Sequence, residues 1–204
     1  MNPILKMALR RAKPGTGSSN EFLDRRTAMQ PVTDLSAILG TIPWVLVGGI
    51  AIRAYMPERI TFDVDVVIPE KYELRARKAF TSTGYMITGE LSIGGFSVRE
   101  EHNADAPPID VLVSRAAWLR EALAHPEQDA AGLPVIPRPY LMLMKMEAGR
   151  ERDLSDVKRM LRDTPQSERS STRALVARYA PEMVEDYDAL IQLADIEFGS
   201  PRSQ

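Results

Sequence analysis

The chain has 204 residues, of which 44% are hydrophobic and 26% are charged, and its formal net charge is −2. This composition is typical of a globular protein that can bury a core, and it excludes the disordered and fibrous classes. The sequence contains no cysteine, which excludes disulfides and zinc–thiolate sites, so any metal must be bound mainly by oxygen. The two histidines, His102 and His125, are predicted to be surface residues.

Hydropathy gives no indication of a membrane segment. The longest apolar run, Ile42 to Ile52, contains one proline and two glycines and is shorter than the roughly 18 residues that a membrane span needs. Residues 4–9 are too short for the core of a secretory signal. The sequence therefore predicts no contact with a membrane and a cytoplasmic location.

The distribution of turn-forming residues predicts three regions. Residues 1–32 form an N-terminal arm, in which a basic helical segment is followed by a cluster of proline, glycine and serine. Residues 33–137 form an α/β core, and residues 138–204 form a C-terminal helical region. The predicted fold class is therefore α/β, of the α+β kind.

Within the core, apolar patterning predicts helices and strands in alternation. The predicted helices of the core are 33–39, 50–55, 70–83 and 115–124, and the predicted strands are 44–47, 62–68, 85–88, 96–100 and 109–113. The helices predicted for the C-terminal region are 139–150, 153–162, 168–179 and 181–198. Runs of β-branched residues make the strands at 62–68 and 109–113 the clearest of these elements.

Two aspartates of one predicted strand are expected to project from the same face. Asp63 and Asp65 are two residues apart, which places their backbones about 6 to 7 Å apart with parallel side chains. A third aspartate, Asp110, lies between apolar residues of another strand and needs a partner if it is buried. Three carboxylates favour a hard divalent cation, Mg²⁺ or alternatively Mn²⁺, and have room for two such ions. Asp110 is then the candidate general base.

A pair of glycines precedes the acidic strand. Gly48 and Gly49 lie where a predicted strand turns into a predicted helix, so backbone N–H groups there can approach a phosphate. The pair alone is a weak signal, but the order of strand, glycine pair, helix and Asp-x-Asp strand is more specific. The glycine turn can accept a phosphate, and one of two ions held by the carboxylates could bind the triphosphate of a nucleoside triphosphate (NTP).

These motifs resemble the nucleotidyltransferase superfamily, whose pattern is a hydrophobic residue with Gly-Gly or Gly-Ser followed by an acidic pair. Val47–Gly49 and Asp63–Val66 match it, and Asp110 takes the place of the third carboxylate. The wider likeness, over residues 40 to 162, is to the AbiEii-type toxins and minimal nucleotidyltransferases. It includes an Arg-x-Thr motif at Arg59–Thr61 and a helical signature at Lys145–Val157.

The resemblance implies a nucleotidyltransferase (polymerase beta-like) fold, a mixed sheet flanked by helices, with Mg²⁺ bound by the three aspartates. It also implies that Lys145 faces the nucleotide and that Arg150, Asp153 and Asp156 support it. Arg59 and Thr61, which precede the acidic pair, are predicted to bind the nucleotide as well. The implied partners are an NTP, a tRNA or protein acceptor and a cognate antitoxin. Residues before 40 and after 162 carry no such likeness.

Each of these motifs also has a structural explanation. An Asp-x-Asp pair is often only a solvated strand edge, and closing a loop is the structural explanation for Arg59. Lys145 can be a lysine that extends to solvent from a core helix. Arg150 with Asp153 can be an exposed helical ion pair of a few tenths of a kcal/mol.

Three functions therefore remain open at the level of sequence. The leading hypothesis is transfer of a nucleotide to a macromolecule by a toxin of a toxin–antitoxin pair. The second is transfer to a small molecule, as antibiotic nucleotidyltransferases perform. The third is a non-catalytic protein that keeps the fold for binding, and the three acidic residues argue against it.

Overall fold

The computed structural model describes residues 1–16, 32–57, 61, 63–103 and 105–199. The chain divides into two compact units. The sheet unit is Leu23–Pro137, and the helical unit combines Met1–Phe22 with Arg138–Gln204. In the described part of the chain, no helix is long and apolar enough to cross a bilayer.

Eight α-helices are found among the described residues. They are α1 Pro3–Arg11, α2 Ser36–Leu39, α3 Glu73–Thr81, α4 Leu119–Ala124, α5 Arg138–Ala148, α6 Glu151–Arg162, α7 Gln166–Tyr179 and α8 Val184–Phe198. Short 3₁₀ helices occupy Ile50–Ala54, Glu70–Tyr72 and Pro181–Met183. Residues 50–55, predicted as a short helix, are a 3₁₀ helix of five residues followed by Tyr55.

The sheet unit contains seven strands within its described residues. They are β1 Val45–Leu46, β2 Val64–Pro69, β3 Tyr85–Glu90, β4 Gly95–Glu100, β5 Ile109–Ser114, β6 Glu127–Gln128 and β7 Pro134–Val135. Their order across the sheet is β3-β4-β5-β2-β1-β7-β6. The pairs β2 with β5 and β1 with β7 are parallel and the other neighbours are antiparallel, so the sheet is mixed.

The centre of the sheet is built from apolar, mostly β-branched residues. Val66, Val67 and Ile68 of β2 and Val111 of β5 are fully buried, which explains why these two segments pair as the middle strands. Phe80 of α3 is also fully buried and lies edge-on to aromatic rings of β3 and β4. The predicted fold class, a mixed sheet flanked by helices, is confirmed.

The short strands β6 and β7 were not predicted. Each has only two residues, too few for an alternating pattern to be recognised. β7 nevertheless joins the sheet, since the backbone N–H of Ile136, which follows it, donates to the carbonyl of Leu46 in β1. The sheet therefore extends two strands further than the sequence pattern indicates.

The helical unit has its own core, formed largely by α6 and α8. Val157, Met160 and Leu161 are buried on α6, as are Leu190 and Leu193 on α8. The unit also includes α1, which contacts α8. The backbone N–H of the residue before α1 donates to a carboxylate of α8, and Leu5 is buried.

Candidate active site

Two strands bring the predicted aspartates together in the sheet unit. Asp65 of β2 and Asp110 of β5 are register partners on neighbouring parallel strands, so their side chains project from the same face. Asp63 directly precedes β2 and is two residues from Asp65. One carboxylate oxygen from each of the three aspartates lies within 4.8 Å of the others, and all three residues are partly exposed.

The donor set of this acidic cluster, Asp63, Asp65 and Asp110, fits a hard divalent cation. Oxygens bound to one Mg²⁺ at about 2.1 Å are at most about 4.2 Å apart, and Ca²⁺ allows about 5 Å. Side-chain rotations that bring the oxygens about 0.6 Å closer would therefore let the carboxylates share one Mg²⁺ ion. Three like charges at this distance oppose one another, and a bound cation removes that repulsion.

Gly48 provides the space that Asp65 occupies. A Cβ atom built on Gly48 would overlap the Asp65 carboxylate, at 2.5 Å from Cγ and 2.8 Å from Cβ of that residue. Gly48 also has a φ of +65°, which side chains other than glycine rarely adopt. The chain is held close here because the backbone N–H of Val47 donates to the carbonyl of Asp65 at 2.9 Å. This steric requirement adds to the phosphate role that the sequence suggested.

Two hydroxyl groups hold two of the three carboxylates. Oγ1 of Thr61 donates to Oδ1 of Asp63 at 2.7 Å, and Thr61 is only 6% exposed. Oγ of Ser97 donates to Oδ1 of Asp110 at 2.5 Å. Ser97 was not among the predicted site residues. Its only signal is a polar residue between two apolar residues of a strand, and the partner strand cannot be read from the sequence.

The 3₁₀ helix that follows the glycine pair is anchored to the loop between β6 and β7. Nε of Arg53 donates to Oδ2 of Asp129 at 2.8 Å, and both side chains are largely buried. The other oxygen of Asp129 accepts from the backbone N–H groups of Ala131 and Leu133. These contacts hold in place the 3₁₀ helix that follows Gly48 and Gly49. Sequence reasoning missed them because the two partners are 76 residues apart.

A second group of predicted site residues lies in the helical unit. Nζ of Lys145 donates to Asp153 at 3.2 Å and to Asp156 at 2.9 Å, and the lysine is 4% exposed. Lys145 is thus a buried, ion-paired residue and does not extend to solvent. Nε of Arg150 donates to the second oxygen of Asp153, and the arginine side chain is 66% exposed.

The alternative of purely exposed helical ion pairs is wrong for this group, because Asp153 and Asp156 are both buried. We call the four residues, Lys145, Arg150, Asp153 and Asp156, the lysine cluster. Its two positive and two negative charges are balanced. Of the remaining predicted residues, Arg59 lies outside the described residues.

A cavity of about 460 Å³ in the sheet unit is separate from the acidic cluster. It is lined by Pro69 and Ser114, the last residues of β2 and β5, and by residues of α4. Asp65 and Asp110 are the second residues of the same strands, four positions or about 13 Å away. The cavity therefore lies at the opposite end of the strands.

Comparisons with known proteins identify distant structural likenesses. No protein-family model matches the sequence, and neither does any curated protein. The chain is similar to the crystal structure of ANT(2'')-Ia in complex with adenylyl-2''-tobramycin, with 22% identity, a TM-score of 0.41, and coverage of 74% of this chain and 87% of that chain. For the CdnE cyclic dinucleotide synthase of Elizabethkingia meningoseptica with GTP and Apcpp, the identity is 10%, the TM-score is 0.29 and the coverage is 87% and 82%. For the Cid1 poly(U) polymerase, these values are 14%, 0.29, and 78% and 51%.

Proposed function

We propose that this chain is a nucleotidyltransferase that depends on a divalent cation, Mg²⁺ or Mn²⁺. The observation that carries the proposal is the acidic cluster, whose three carboxylates meet within 4.8 Å beside Gly48. Such a cluster needs positive charge, and a divalent ion bound together with the NTP would supply it at the place where the chemistry occurs.

In the proposed reaction, an acceptor hydroxyl attacks the α-phosphorus of the NTP. The new bond joins the acceptor oxygen to that phosphorus, the bond to the β-phosphate breaks, and pyrophosphate leaves. Asp110 accepts the proton of the hydroxyl, and Asp63 and Asp65 are the principal metal ligands. A divalent ion bound there would neutralise charge on the phosphates and position them.

We assign the remaining predicted residues to the NTP. Gly48 and Gly49 would let backbone N–H groups approach the phosphates. Arg59 and Arg150 would contribute positive charge to them, and Arg150 has the exposure that such a contact requires. Thr61 would lie beside the NTP next to Asp63, to which its hydroxyl donates a hydrogen bond. Lys145 and Asp153, which are buried, would act by holding Arg150.

We further propose that the acceptor is a macromolecule, a tRNA or a protein hydroxyl, and that the protein acts as a toxin with a cognate antitoxin. This part follows from the resemblance of Arg59–Thr61 and Lys145–Val157 to the AbiEii-type proteins. Small-molecule acceptors are the alternative that the same experiment separates.

The test uses the full chain with Mg²⁺ and each of the four α-labelled NTPs. One arm contains total tRNA, a second contains cell protein, and a third contains a panel of small hydroxyl compounds such as aminoglycosides. The matched variants are Asp110→Asn, which keeps the shape of the side chain, and Glu100→Gln on the neighbouring strand β4 as a control.

We expect label on tRNA or protein with wild type and Glu100→Gln, and none with Asp110→Asn. Label only on a small molecule would overturn the macromolecular acceptor and keep the activity. If no arm gains label and Mg²⁺-NTP gives no heat in isothermal titration, the nucleotidyltransferase proposal is wrong.

A further inference from the structure

Two carboxylates of the acidic cluster are held by neutral hydroxyl groups from outside β2 and β5. Ser97 belongs to β4, and Thr61 precedes Asp63 by two residues. A hydroxyl has a single proton to donate, and in both cases the nearest acceptor is Oδ1 of the aspartate. For Thr61 the backbone carbonyl oxygen of Asp63 is a second, longer acceptor at 3.4 Å. These bonds fix how each carboxylate is rotated.

The position of Ser97 follows from strand register. Ser97 lies directly opposite Asp110 in the antiparallel pair of β4 and β5, so the two side chains share one face of the sheet. Phe96 and Val98, its neighbours in β4, are fully buried and project from the other face. A change at Ser97 therefore leaves the apolar core untouched.

We infer that Ser97 and Thr61 are positioning residues that set the affinity of the acidic cluster for a divalent cation. This inference rests on the proposed function. Each hydroxyl occupies Oδ1 of its aspartate and holds the carboxylate in an orientation suited to a shared ion. Without the hydroxyl the carboxylates rotate apart, because three like charges repel. The free energy needed to order them again then lowers the affinity for the cation.

Hydrogen bonds to side chains that bind a metal typically change the metal affinity by about 10- to 100-fold when they are removed. We therefore expect Ser97→Ala and Thr61→Val each to weaken cation binding about tenfold. Ser97→Thr and Thr61→Ser retain a hydroxyl and should bind close to wild type. The position of the hydroxyl, and not the identity of the residue, is what matters.

The experiment measures Mn²⁺ binding to the full chain by electron paramagnetic resonance, without any nucleotide. The control is Thr88→Ala on β3, whose hydroxyl donates to the backbone carbonyl of Ser97 and not to a carboxylate. Thermal unfolding of every variant checks that the fold is kept. Activity against Mn²⁺ concentration adds a second readout, in which Ser97→Ala should need more metal than wild type for its half-maximal rate.

Weaker Mn²⁺ binding by Ser97→Ala and Thr61→Val, with recovery in Ser97→Thr and Thr61→Ser and no change in Thr88→Ala, would support the inference. If wild type binds Mn²⁺ and the alanine and valine variants bind it equally well, the inference is wrong while the proposed function stands. If wild type itself binds no Mn²⁺, with or without NTP, both are wrong.

Discussion

The acidic cluster in the sheet unit and the lysine cluster in the helical unit both bring aspartates close together, but they are stabilised differently. In the lysine cluster, the ammonium group of Lys145 lies between Asp153 and Asp156, and all three side chains are buried. In the acidic cluster, Asp63 and Asp110 accept hydrogen bonds from neutral hydroxyls, and the carboxylates are partly exposed.

The comparison separates aspartates whose charge is balanced inside the protein from aspartates that are open to a cation. Lys145 neutralises Asp153 and Asp156 in the buried interior, and its removal would leave two buried carboxylates without their ammonium partner. A hydroxyl orients a carboxylate without adding a charge, so the carboxylate keeps its negative charge and remains able to bind a cation from solution. The predictions below change one cluster at a time, beginning with the largest effect.

The largest expected effect is the loss of activity when Asp65 of the acidic cluster is replaced. Asp65→Ala removes a principal ligand of an ion whose charge stabilisation is worth several kcal/mol, which corresponds to at least about a thousandfold in rate. The fold should be kept, since removing one of three crowded carboxylates relieves repulsion. Labelled nucleotide transfer measures the rate, and thermal unfolding measures stability. A variant that unfolds would contradict this view of the cluster.

The opposite outcome is expected for Lys145 in the lysine cluster. Lys145→Met leaves two buried aspartates without their ammonium partner, which should lower the free energy of unfolding by about 3 to 5 kcal/mol. The control is Arg173→Met, which breaks the exposed pair of Arg173 with Asp188 and should change the free energy of unfolding little. Urea denaturation compares the two. If both variants lose the same free energy of unfolding, burial does not make the ion pairs of Lys145 more important for stability than an exposed pair.

A smaller effect is expected at Gly48, where stability and the site are linked. Gly48→Ala introduces backbone strain of about 1 to 2 kcal/mol and also displaces the Asp65 carboxylate. Gly40→Ala is the matched control, because Gly40 has a φ of +59° and open space around it. Both variants should lose stability, but only Gly48→Ala should lose cation binding in a calorimetric titration. Unchanged binding in Gly48→Ala would show that Asp65 does not need this space.

The smallest expected effect is at Arg150, the exposed member of the lysine cluster. Arg150→Ala should change stability little, as expected for a side chain that is 66% exposed, and should weaken NTP binding about tenfold if it contacts phosphate. Arg159→Ala, on the helix α6 that Arg150 precedes, is the control. Fluorescence titration with a labelled NTP measures the affinities, and equal affinities would remove Arg150 from the proposed site.

The sequence predicted the acidic cluster well, because its signals are local. Alternation over the predicted strand 62–68 places Asp63 and Asp65 on one face, although β2 itself begins at Val64, and apolar neighbours place Asp110 in a strand. That β2 and β5 are neighbours in exact register is a property of the sheet and is not encoded in either segment alone. The same reason hid Ser97, whose partner is 13 residues away on another strand.

The sequence predicted the surroundings of Lys145 only in part. The apolar residues around it predicted a core helix, and the acidic partners lie 8 and 11 residues later on α6. They reach Lys145 because the chain reverses between α5 and α6, where Gly149 has a φ of +63°. The resemblance identified the motif, but the burial that defines its energetics came from the structure.

The most direct test of the central claim is a crystal of the full chain soaked with Mn²⁺ and measured for anomalous scattering. We predict a peak about 2.2 Å from carboxylate oxygens of Asp63, Asp65 and Asp110, and no such peak in Asp65→Ala crystals. Anomalous density only at other positions, or none with Mn²⁺ in excess, would contradict the assignment of these aspartates as the metal-binding centre.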